Sequence, residues 1–423
     1  MPNDPARWLG WAVLVGAVAC RADPVDTAGL VDTEPVETDP VPVGLCDVAV
    51  TCPNTIPDAP SIACDLVVTD FSGEVAWDGP AGMQLRGRSS IAFPKPQLAV
   101  ELLDDAGQEV SANLLGMGAD SDWVLNGAYI DRALLRNSFG YGLFQALGGK
   151  ERYAPESRTC RLTMDGAPYG VFFLGEKIKR DDDRIDILAD PSGAAFIVKL
   201  DDEPGVFDNA AIGNGIWQVV SPSSPTPEQT AGMQATLGAW QSALLGAAPA
   251  DPEVGIFAVI DLDSAVDFVL LQELLRNNDG YFLSIHLWKD VDTRLRFAPW
   301  DLDLTLGQPT YNENAKAHGW MLYRPVMIAR MGEVPAFRAR LASRWRELRL
   351  GPWSDAALLA GIEAQHALLG PDLAANFEVW PWADIPTYWP TLPEVAGPEE
   401  EYVRIEGWLP ERTAWIDANI DAW

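Results

Sequence analysis

Three carboxylates have a spacing that could do chemistry: Asp279, Asp301 and Asp303. Asp279 closes the triplet Asn277-Asn278-Asp279, and the other two stand in Pro299-Trp300-Asp301-Leu302-Asp303. Between them, 282–288 and 294–298 read as a β-hairpin turning at Lys289-Asp290-Val291-Asp292. A hairpin returns its two ends to one place, so the acids can meet. One carboxylate can then accept or orient the proton of an attacking hydroxyl, while the other two offer the hard oxygen donors that suit Mg2+ or Mn2+. That combination serves phosphoryl transfer. Each motif also has a plainer reading. Asn-Asn-Asp-Gly is what helix ends and turns prefer, and a D-x-D in a chain with 61 acidic residues is often a solvated loop. Pro299 and Trp300 count against that second reading, because apolar neighbours imply partial burial.

Several elements must position these acids. The run 261–276 is apolar on more than one side (Val266, Phe268, Val269, Leu270, Leu271, Leu274, Leu275) and predicts a buried helix ending at Asn277. Upstream, Leu66-Val67-Val68, Gln84-Leu85-Arg86 and 98–102 predict strands. The loop Arg86-Gly87-Arg88-Ser89-Ser90 combines cations with backbone N–H groups that can face phosphate. Asp131 is placed to cap a helix running through Leu134, Tyr141 and Leu147. Strands 161–164 and 169–174 flank the turn Asp165-Gly166, and a further strand at 195–200 carries Lys199. Within 203–255, Thr226, Pro227 and Gln229 start a helix whose Met233, Leu237, Trp240 and Leu244 share one face. The C-terminal part predicts helices near 334–348, 353–369 and 399–422, the last kinked or divided by Pro410.

A formal charge of −31 over 423 residues repels nucleic acid and anionic lipid, which excludes both as direct partners. With 48% hydrophobic residues the chain can bury a large core. No G-x-x-x-x-G-K-[ST], H-E-x-x-H or G-x-S-x-G occurs. Residues 1–20 read as a lipoprotein signal peptide, in which Ala17-Val18-Ala19-Cys20 resembles a lipobox with Cys20 as the lipidated residue. Residues 21–45 read as a disordered, acidic, Pro/Thr-rich tether. The remaining cysteines, Cys46, Cys52, Cys64 and Cys160, suggest two disulfides with three possible pairings. A lipid-anchored protein of the cell envelope, facing outside the cytoplasm, is the expectation.

Seven motifs in order carry a resemblance: RGRSS with FPK (86–95), SDWVL (121–125), DRALLRN (131–137), YGVFFLGEKIKR with RIDI (169–187), FIVKLD (196–201), NND (277–279) and PWDLD (299–303). Together they are similar to the spore-coat protein H (CotH) kinase-like family. The resemblance implies an α+β, atypical protein-kinase-like two-lobed fold with a helical C-terminal region. Its domain would span 46–423, with an N-lobe at about 56–202, an insert at about 203–255 and a C-lobe from about 256. It implies a secreted or anchored kinase that uses ATP and Mg2+ or Mn2+ to phosphorylate hydroxyls of a protein substrate. Asp279 would be the catalytic base, and Asp301 and Asp303, with Ser284, the metal ligands. Arg86, Lys95, Arg136 and Lys199 would face the nucleotide phosphates, Glu176 would pair with one of them, and Tyr129 would contact the adenine. Three positions depart from the family pattern: Ser284 for Asn, Pro96 for Lys and Leu295 for Trp. They leave a catalytically weak or inactive kinase-fold surface binding or adhesion module as the alternative.

Overall fold

The structure, a computed structural model, describes residues 44–201, 205–208, 211, 215–281, 283–308, 313–386 and 395–423. Cys20, the leader and all but the last two residues of the tether lie outside the described residues, as does Phe282.

In chain order the first strands are β1 (Cys46–Thr51), β2 (Ile62–Thr69), β3 (Val75–Arg86), β4 (Gln97–Leu102), the short pair β5 (Ala112–Asn113) and β6 (Ala119–Asp120), and β7 (Asp122–Asn126). Helix α1 (Arg136–Gln145) separates them from β8 (Ser157–Met164) and β9 (Ala167–Glu176). Seven of these strands close into a barrel of order β1-β2-β3-β4-β7-β9-β8, with β1 and β8 parallel. Alternation along the strands fills the barrel with its own core, including Val48, Leu66, Met83, Val100, Leu125 and Phe172. The disulfide Cys46–Cys160 joins β1 to β8 where those two residues are register partners, and Cys52–Cys64 ties the start of β2 back to β1.

The second half is built on a mixed sheet and helices. After β10 (Phe196–Asp201) come β11 (Phe207–Asp208), β12 (Ile216–Ser221), α2 (Pro227–Leu245), α3 (Ile256–Val259) and α4 (Leu262–Leu275). The hairpin β13 (His286–Lys289) and β14 (Arg296–Ala298) follows, then α5 (Val326–Gly332), α6 (Pro335–Arg349), α7 (Asp355–Leu369), α8 (Pro371–Val379) and α9 (Pro398–Asn419). The sheet order is β11-β12-β10-β13-β14. Strand β10, which reading along the chain attaches to the first lobe, therefore hydrogen-bonds with the hairpin strand β13 and not with the barrel.

Helix α4 lies at the centre of the largest core, with every residue from Ser264 to Leu275 buried. At about 1.5–3 kcal/mol for each large apolar side chain, this run anchors the region. Asp261 caps it by accepting the Ser264 N–H at 2.7 Å. Helix α2 has the expected capping box, and its Met233, Leu237, Trp240 and Leu244 are all buried. Other expectations shift. The hairpin strands are shorter than 282–288 and 294–298, because the chain is still turning at Ser284 and Thr293. Helix α1 starts only at Arg136, yet Asp131 still accepts the N–H groups of Ala133, Leu135 and Arg136 at 3.1, 2.9 and 2.7 Å. Pro410 lies inside α9, which continues through it. Among the described residues no helix is long and apolar enough to cross a membrane.

Candidate functional site

Two loops carry the acids, and the fold sews them together. Helix α4 ends at Arg276, which adopts the left-handed conformation at φ 51°. Its guanidinium donates to the carbonyls of Lys316, His318 and Trp320, fixing the direction in which Asn277 leaves the helix. Asn277 then donates through Nδ2 to the Asp301 carbonyl at 3.2 Å, and the Asn278 N–H donates to the Leu304 carbonyl at 3.2 Å. The Leu306 N–H donates to the Leu275 carbonyl at 2.9 Å. On the other side, α1 holds the same loop. Asn137 Oδ1 accepts the Leu302 N–H at 2.6 Å, the Tyr141 hydroxyl accepts the Asp301 N–H at 3.2 Å, and Arg136 Nε donates to the Thr305 carbonyl at 2.8 Å.

The acids form one electrostatic group. Burial is the main cause that raises the Asp301 carboxyl. Arg86, the Ser284 hydroxyl and Lys199 pull it back down, and the nearby Asp279 pushes it up. Asp303 is held well above the usual carboxylate range by burial, then by the like charges of Asp301, Asp279 and Asp131. Ser284 Oγ donates to Asp301 Oδ2 at 3.0 Å. Arg86 lies over the Trp300 ring at 5.4 Å, and burial lowers its guanidinium while Asp301 raises it. Lys199 donates to Asp201 at 2.7 Å, and Asp201 in turn faces Arg88 of the RGRSS loop at 3.7 Å. Asp279, Ser284, Asp301, Asp303, Arg86 and Lys199 are all half-buried, so each is within reach of solvent.

The other four candidates are held in closed surroundings, Arg136 behind the Asp301 loop and the rest away from it. Lys95 is 1% exposed and donates to the Val171 carbonyl at 2.5 Å and to Asn376 Oδ1 at 2.8 Å. Burial pushes its ammonium well below the usual range, with only partial relief from Asp131. It ties the barrel to α8. Arg136 is fully buried between Asp131 and Glu401 and holds α1 against α9 and the Asp301 loop. Tyr129 donates to the Asp384 carbonyl at 3.0 Å and packs beside Phe93 at 5.4 Å. Glu176 pairs with none of the four expected cations. Arg184 is its ionic neighbour, at 3.9 Å, and it accepts from the Tyr153 hydroxyl at 3.0 Å and the Glu156 N–H at 2.9 Å. Burial pushes the Glu176 carboxyl up to about 7. A side chain sealed among carbonyls and carboxylates has no face left for a phosphate.

Sequence reasoning missed Asn137, Tyr141 and His286. Asn137 and Tyr141 sit one and five residues after Arg136, on the helix already recognised. His286, alone on its strand, had no motif to mark it. Burial, with Lys199 and Arg86 nearby, lowers its imidazole to about 3, so the ring is neutral.

Among the described residues no group of three His, Cys, Asp or Glu stands close enough to form a ready-made metal cage. The donor chemistry nevertheless fits Mg2+ or Mn2+. Mg2+ is usually held by one or two carboxylates, with waters and substrate phosphates completing the shell. Asp301 and Asp303, both raised by burial and by the like charge of Asp279, are the kind of pair a dication relieves.

The family model described as CotH kinase protein matches residues 83–416 of the chain. The match takes in every residue of the site and leaves β1 and β2 outside. No curated protein matches the chain.

Proposed function

The chain belongs to the CotH kinase family, and from that membership we propose that it is an atypical protein kinase. It would transfer the γ-phosphoryl group of ATP to hydroxyls of a protein substrate outside the cytoplasm. The barrel and the second sheet would be the two lobes of a kinase-like fold. The single observation that carries the reading is the electrostatic grouping of Asp279, Asp301 and Asp303 beside Arg86 and Lys199.

Asp279 takes the part of the base. The substrate oxygen bonds to the γ-phosphorus, the bond from that phosphorus to the β,γ-bridging oxygen breaks, ADP leaves, and the hydroxyl proton passes to the Asp279 carboxylate. Asp301 and Asp303, helped by Ser284, would hold Mg2+ or Mn2+, which supplies charge neutralisation at the phosphates when bound. Arg86 and Lys199 add positive charge on the barrel side and the sheet side. For Lys199 this means exchanging Asp201 for phosphate. The two disulfides support an oxidising compartment, which suits a chain anchored through Cys20.

Ser284 favours a second reading. A hydroxyl is a weaker metal ligand than an amide carbonyl, and this one is engaged with Asp301. A weak or inactive kinase-fold binding module is consistent with that. The whole chain incubated with Mn2+ and γ-labelled ATP, beside Asp279→Ala and Asp301→Ala, separates the two. Label taken up by the parent and lost in both variants supports the kinase; ATP bound without any transfer supports the module.

A further inference from the structure

His286 is 6% exposed; the Ser284 backbone is a hydrogen-bond neighbour of its ring, and among the described residues its buried Nδ1 has no hydrogen-bond partner. Native proteins pair nearly all such groups, and this one stands beside the candidate site, where a ligand could complete the contact. Its surroundings say which part of a ligand that is. His286 and Lys199 are register partners on neighbouring antiparallel strands, so both side chains project from the same face of the sheet. The imidazole meets the Trp300 ring edge-on at 6.0 Å, and Trp300 precedes Asp301 and lies under Arg86. Ser284, two residues back, reaches Asp301. The orphan nitrogen thus lies between the cations proposed for phosphate and an aromatic ring. Leu295, where the family pattern has Trp, is fully buried in the main core.

Resting on the kinase reading above, we infer that His286 recognises the nucleoside part of the nucleotide, its Nδ1 hydrogen-bonding the ribose or base beside Trp300. The residue is a specificity determinant that separates a nucleoside triphosphate from bare polyphosphate.

The test is calorimetric, on the whole chain with Mn2+, using ATP and inorganic tripolyphosphate as probes. His286→Phe keeps the ring shape and removes the nitrogens. It should weaken ATP by about tenfold or more while leaving tripolyphosphate within about twofold. Its melting temperature without ligand should stay level or rise, because an unpaired buried polar atom has gone. His286→Asn, which returns a polar atom near the Nδ1 position, should recover part of the ATP affinity. Equal losses for both probes, no loss for ATP, or a lowered melting temperature in His286→Phe each overturn the inference alone. A parent chain that binds neither probe overturns the kinase reading and the inference with it.

Discussion

Ser284 and Asp301 face each other across a 3.0 Å hydrogen bond, and both adopt the left-handed conformation, at φ 56° and 51°. A left-handed serine is uncommon, whereas asparagine is several-fold enriched there. The backbone at 284 therefore already suits Asn, whose carbonyl oxygen is the better ligand for a hard cation. Ser284→Asn should leave the melting temperature level or higher and tighten Mn2+ binding by about threefold to tenfold in the presence of ATP. A calorimetric Mn2+ titration checks this. Unchanged Mn2+ affinity would remove position 284 from the metal site.

Glu176 sets a pH dependence away from the acids of the site. Burial, only partly offset by its hydrogen bonds and Arg184, raises its carboxyl from 4.5 to about 7. A raised folded-state value means that the protonated form is the stabilised one. Its contribution is complete below 4.5 and is lost as pH climbs through about 7. Glu176→Gln keeps an acceptor for Tyr153 and the Glu156 N–H but cannot ionise. The variant should match the parent under acid conditions and exceed it by up to roughly 3 kcal/mol at about pH 8. Urea denaturation at both ends of the range decides it. A difference that does not change with pH counts against the buried-acid account.

Much of the fold was legible in the sequence, and the reasons are local. Helix α4 announces itself by a run that is apolar on more than one side, α2 by a capping box, and the barrel strands β2, β3, β4, β8 and β9 by short stretches between turns, whereas β1 and β7 went unread. The acids were legible because a hairpin between two acidic motifs has only one way to close. Non-local features were not. Cys46 pairs with Cys160 across 114 residues, which no spacing rule reaches. Lys95 and Arg136 read as phosphate-facing cations because their partners, Asn376 and Glu401, lie 281 and 265 residues further on. Burial of a charge is decided by what folds over it.

The contrast between Arg136 and Arg86 tests that distinction. Arg136 is fully buried in an ion-paired network, so Arg136→Met leaves Asp131 and Glu401 without their shared cation. Removing one partner of a buried pair costs about 3–5 kcal/mol. Arg136→Met should therefore lower stability by that order, with or without ATP. Arg86 is half-buried beside Asp301, and Arg86→Met should change stability by less than about 1 kcal/mol while weakening ATP binding. Denaturant curves and ATP titrations on both variants give the comparison. A stable Arg136→Met that has lost ATP affinity would return Arg136 to the phosphate site.

Gly140 makes the last prediction, because it controls how closely α1 approaches the Asp301 loop. A methyl group there would overlap Cδ1 of Leu302 and come within 3.0 Å of Cδ1 of Leu275. Both leucines are fully buried, so neither can swing clear. Two effects oppose each other in Gly140→Ala. Helix propensity favours alanine by about 0.5–1 kcal/mol, whereas overpacking a filled core costs about 1–3 kcal/mol. Overpacking should win, leaving a net destabilisation of about 1–2 kcal/mol by chemical denaturation. Leu302 stands between Asp301 and Asp303, so its displacement should also weaken Mn2+ binding in calorimetry. Adding Leu302→Val removes the overlapping carbon, and the pair should couple favourably, with the double variant less destabilised than the two single changes summed. Strict additivity would mean that α1 does not set the position of the Asp301 loop through this contact.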